Sequence, residues 1–75
     1  MHNVKFHSER ATEDQIIDAV FDACRANESR ATTTVRGGYT VKFNNGDLPA
    51  GEHLALVYNA DDQLCGSAVV DASDC

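Results

Sequence analysis

The residues able to do chemistry are few. Three cysteines (Cys24, Cys65, Cys75) and three histidines (His2, His7, His53) are spread along the chain. None of them stands at a metal-ligand spacing such as C-x2-C or H-x3-H, so no zinc site is predicted. A nucleophilic pair of Cys24 with His7 or His53 is no better supported. A reactive cysteine needs a partly exposed, electropositive setting. Cys24 falls instead on the apolar face of a helical pattern, where it acts as a small hydrophobe. Asn44, Asn45, Asp47 and the pair Asp61-Asp62 offer oxygens for calcium. The EF-hand order of ligands with its closing Glu is missing, and turn chemistry accounts for these residues. Gly37-Gly38 lacks the spacing and the strand-to-helix setting of a phosphate loop. The sequence therefore predicts no catalytic, metal or cofactor residue, and the chain reads as a non-enzyme.

What remains is charge. Asp14, Asp18 and Asp22 stand at i, i+4 and i+8. Like charges at that spacing weaken a helix by about 0.2–0.5 kcal/mol per pair. Two readings follow. The stripe is a solvated helix face, as charge runs on helices usually are, or it is a docking face for a basic surface. Glu52, Asp61, Asp62, Asp71 and Asp74 add to the acidity, which extends the second reading towards mimicry of nucleic-acid phosphates.

The helix that carries the stripe is well marked between Thr12 and Glu28. Thr12-Glu13-Asp14-Gln15 fits a capping box with Thr12 as N-cap and Gln15 at N3. Glu13 and Asp14 complement the helix dipole at its start. Arg25, Asn27 and Arg30 mark the end. Ile16, Ile17, Val20, Phe21 and Cys24 form the apolar face, and Arg25 stands three residues after Asp22, close enough to neutralise it.

Around this helix the pattern is that of strands. Residues 3–7 alternate, with Val4 and Phe6 on one side and Lys5 and His7 on the other. From Ala31 to Phe43 the period is two. Thr33, Val35, Tyr39, Val41 and Phe43 share one parity; Thr32, Thr34, Thr40 and Lys42 share the other. A three-residue loop Arg36-Gly37-Gly38, with Gly38 left-handed, would pair Val35 with Tyr39 and Thr33 with Val41. One long strand with a glycine bulge preserves the same parity. After a turn-rich stretch holding Pro49 comes His53 to Tyr58, apolar on both parities. Asn59 to Asp62 reads as a type I turn. Gln63 to Val70 is the last strand, with Gly66 as a bulge candidate, and 71–75 reads as a frayed acidic tail.

These elements predict a single α+β domain over residues 1–75. One helix packs on one face of a three- to five-stranded antiparallel sheet, in the order β-α-β-β-β(-β). One helix cannot cover both sides of Leu54 to Tyr58. With Leu54, Leu56 and Tyr58 set towards the helix, Ala55 and Val57 point away and become a second candidate contact surface. Their alternative is scattered apolar residues on an ordinary surface.

The chain has 75 residues, 12 of them acidic and 6 basic, for a net charge of −6. Nucleic-acid backbone wants a clustered positive face, and here the only lysines are Lys5 and Lys42, with four scattered arginines. No direct nucleic-acid binding is expected. No apolar run nears the ~20 residues needed to span a bilayer, and the first residues lack a signal-peptide core. An odd cysteine count argues against a disulfide framework. Together these point to the cytoplasm. In size, acidity and plain α+β layout the chain is similar to the small proteins that phages and other mobile elements use against host machinery. That likeness implies a modulator or inhibitor working by protein–protein contact with a basic partner. The alternative is a homodimeric housekeeping domain associating through its open sheet face.

Overall fold

A computed structural model describes residues 1–27, 32–34, 36–44 and 48–71. The order is β1 (His2–Phe6), α1 (Glu13–Asn27), β2 (Thr32–Thr34), a 3-10 turn at Arg36–Gly38, β3 (Thr40–Asn44), β4 (Glu52–Tyr58) and β5 (Leu64–Asp71). The five strands form one sheet in the order β1-β5-β4-β3-β2. Every neighbouring pair is antiparallel. This is the α+β fold that the sequence predicts, with the helix on one face. β1 and β2 lie at opposite edges, so α1 must carry the chain across the whole sheet. Its 15 residues span about 22 Å at 1.5 Å each. That matches the roughly 19 Å across four inter-strand gaps.

The capping box closes as its residues imply. The Thr12 amide donates to Gln15 Oε1 at 2.8 Å, and the Gln15 amide donates to Thr12 Oγ1 at 3.2 Å. Two amides that the first turn leaves without helical partners are thereby satisfied. The buried stripe of α1 is Ile16, Ala19, Val20, Ala23 and Cys24. Ile17 and Phe21, expected on the same face, flank it half-buried.

The stretch from Thr32 to Asn44 is a hairpin rather than one bulged strand. Thr33 pairs with Val41, as parity predicts. Gly37 (φ 84°) and Gly38 (φ 79°) are both left-handed, a conformation that glycine adopts without the Cβ penalty. The Val35 half of the expected Val35–Tyr39 pair lies outside the described residues, as do Asn45 and Asp47. At the other hairpin, the Asp62 amide donates to the Asn59 carbonyl at 3.0 Å. Asn59 Oδ1 accepts from the amides of Asp61 and Gln63 at 2.9 Å each. Asp62 itself is left-handed, with φ 62°.

One expectation reverses. Ala55 and Val57 do not point away from the helix: both are fully buried in its core. Val57 pairs with Val41 and Ala55 with Phe43, so they share the inward face of β3. The open face instead carries Leu54, Leu56 and Tyr58, each half-buried. The physical reason is size. A helix settles closest over small residues, and its side of the sheet offers Ala55, Ala68 and Gly66. A Cβ on Gly66 would lie 2.4 Å from the Lys5 carbonyl oxygen and 2.8 Å from two carbons of Ile16. Glycine is required there by close approach. The bulge lies one residue earlier, at Cys65, because Val57 pairs with Gly66 while Tyr58 pairs with Leu64.

Three smaller differences follow from the same sheet. Val4 packs on the core but Phe6 stays 42% exposed. It sits opposite Gly66 on the outer strand, and Ile16 already occupies the space above that glycine. Asp71 belongs to β5, paired with Glu52, rather than to a frayed tail; residues 72–75 lie outside the described ones. Cys24 is more than a packing residue: it is disulfide-bonded. Cys65 is a free, buried thiol, so the bond does not join those two, and its other half lies outside the described residues.

Candidate functional site

The polar side of α1 is the place to look for a site, because the apolar side is spent on the core. Gln15, Asp18, Ala19, Asp22 and Arg25 follow each other at helical intervals along one flank of the helix. The turn between β2 and β3 rises beside that flank. Together they enclose an open cleft of about 420 Å³, lined by those five residues with Gly37 and Tyr39. Gly37 is part of the wall for a steric reason. A Cβ there would approach the Tyr39 ring to 3.1 Å, so the bare backbone lets the ring lie against the turn.

The cleft holds two carboxylates, a guanidinium and a phenol. Arg25 donates to Asp22 Oδ1 across one helical turn, the pairing that their spacing suggests. Asp22 is the more enclosed partner, with 17% of its side chain exposed against 67% for Arg25. Asp18 is exposed one turn earlier. Gln15 is committed to the helix cap. Asp14 is exposed on α1, but it does not line the cleft. The structure thus brings together two of the three stripe residues and separates the third.

Chemically this arrangement suits a cation. Asp18 beside an aromatic ring can take a guanidinium or ammonium group by charge-assisted hydrogen bonds and by contact with the ring, next to Asp22, which is already bonded to Arg25. Among the described residues the lining holds no Cys, Ser, Thr or His side chain. Among the described residues no group of three or more His, Cys, Asp or Glu side chains is placed to hold a metal ion. His2 and Glu52 form a pair at 3.4 Å on the sheet face away from the helix.

Tyr39 and Gly37 were the residues hardest to find in the sequence. Tyr39 reads as an inward strand position, and Gly37 as a turn residue only. Their role in the cleft depends on how far the hairpin turn rises beside α1, which strand parity does not encode. Among the described residues no helix is long and apolar enough to cross a membrane. Compared with known proteins, the chain matches no family model, no curated protein and no solved structure.

Proposed function

We propose that this protein is a non-enzymatic binding module that docks on a basic surface of a protein partner through the polar flank of α1. The observation that carries the reading is the cleft itself. It turns an acidic helix stripe into a concave receptor, with Asp18 and Asp22 beside Tyr39. An arginine or lysine of the partner enters the cleft, and the surrounding acidity steers the approach. Net charge of −6 extends that attraction beyond the cleft, within a Debye length of about 10 Å at ordinary ionic strength. By occupying its partner's surface the protein acts as a modulator or inhibitor, the role that its likeness to phage and mobile-element proteins implies.

The test is a titration of the protein with a short arginine-rich peptide, followed by amide chemical-shift mapping at low and high salt. Shifts are expected around Gln15, Asp18, Ala19, Asp22 and Tyr39. They should fade as salt rises and vanish in the Asp18→Lys/Asp22→Lys variant. Shifts centred elsewhere, or a response that the double variant retains, would sink the proposal.

A further inference from the structure

We infer that the face of the sheet turned away from α1 is the contact surface for a second copy of this chain. The inference is independent of the helix-flank reading, because the two surfaces lie on opposite sides of the molecule. The face is built in rows set by strand register. One row runs Lys5, Ser67, Leu56, Lys42 across β1, β5, β4 and β3. The next holds His2, Val69, Leu54 and Asn44, and the one beyond holds Asp71 and Glu52. Tyr58 and Leu64 form the row on the other side, with the Lys42 ammonium 4.7 Å from the Tyr58 ring centre. Leu54, Leu56, Tyr58 and Leu64 are half-buried with no layer of the described chain above them.

Charge selects the occupant. Both lysines of the chain lie on this face, together with Glu52 and Asp71. The two lysines balance the two acids, and His2 on the same face stands 3.4 Å from Glu52, so the excess of acid lies elsewhere on the molecule. This is the surface on which two copies repel each other least. The order of the charges also complements itself. A two-fold axis along the Leu54 row brings the lysine row of one copy over the acidic row of the other. Lys5 then falls one strand from Asp71 of the second copy, and Lys42 one strand from Glu52 of the second copy. That offset is about 4.8 Å, with sheets about 10 Å apart, within reach of a lysine side chain. The contact is self-complementary, as a two-fold interface must be. Five strands of this length present roughly 500 Å² in plan per copy, at the lower limit for a specific interface. The dimer is therefore weak and concentration-dependent.

Sedimentation equilibrium across the micromolar range reads it directly. The wild type should pass from monomer to dimer, and Leu56→Lys should stay monomeric. Lys42→Glu and Glu52→Lys should each weaken association about tenfold. The double variant Lys42→Glu/Glu52→Lys should recover it, because the exchanged charges again face each other. Far-UV circular dichroism checks folding, and the surface charge variants decide the matter should Leu56→Lys unfold. A monomer at every concentration overturns the inference. So does a dimer that these variants leave intact, or a double variant that shows no recovery.

Discussion

The two faces of the sheet are made of different material, and the difference is one of size before it is one of polarity. Under the helix lie Ala55, Ala68 and Gly66 with Val41, Val57 and Val70 between them, all buried. On the open side lie Leu54, Leu56, Tyr58 and Leu64, larger residues only half out of water. Small residues let α1 approach until Ile16 touches the backbone at Gly66. Large ones stand on the side away from the helix. Within β4 alone hydrophobicity would rank the two faces the wrong way round; across the whole sheet the open face is also the polar one, with Lys5, Lys42, Ser67, Glu52 and Asp71 on it.

The comparison breaks most sharply at Gly66. Gly66→Ala forces a methyl against the Lys5 carbonyl and Ile16, and neither the strand nor the helix can yield independently. We expect a loss of about 3 kcal/mol, the upper end for overpacking. Denaturant melts should show it as a lower midpoint with an unchanged slope. In a domain this small such a loss takes most of the available stability.

Leu56→Ala makes the opposite point on the other face. It removes more carbon than Gly66→Ala adds, yet the side chain is only half-buried and leaves no enclosed cavity. About 1 kcal/mol is expected, from lost area alone. The melt should be run at high dilution, where the monomer is the species observed. A cost equal to that of Gly66→Ala would mean that the two faces are packed alike.

Asp62→Gly touches neither face and gives the baseline. Asp62 holds a left-handed backbone at φ 62°, where glycine removes the steric penalty but adds freedom to the unfolded chain. The balance should be a gain of about 0.5 kcal/mol, read as a small rise in melting temperature.

Which parts of this molecule were legible in the sequence follows from the range of the interactions involved. Thr12 and Gln15 bond each other within one turn, and Arg36 to Gly38 join residues that parity already aligned. Local chemistry settles both. The orientation of β4 is a different kind of question. Alternation says that Leu54, Leu56 and Tyr58 share a face, but the helix chooses the face through packing against Ala68 and Gly66 on β5. The bulge at Cys65 shifts that register by one residue, so counting back from the Asn59 turn gives the wrong partners. The stripe was half legible for a similar reason. Spacing placed Asp14, Asp18 and Asp22 on one flank, but the turn at Gly37 and Tyr39 forms a cleft with only the last two. The disulfide at Cys24 escaped because the cysteines of this chain stand at no motif spacing.

The irregularity in β1 has a consequence for how copies of this chain can meet. Between His2 and Lys5 the register against β5 slips, and Asn3 turns left-handed at φ 52°. Such a break leaves the outer rim of β1 without an even row of amides and carbonyls for an incoming strand to read. At the opposite rim β2 offers three described residues, a short template for the same purpose. Growth by adding strands edge to edge, the route that leads to fibrils, is thereby discouraged at the β1 border. Should copies meet only through the open sheet face, as proposed above, the assembly closes after two copies.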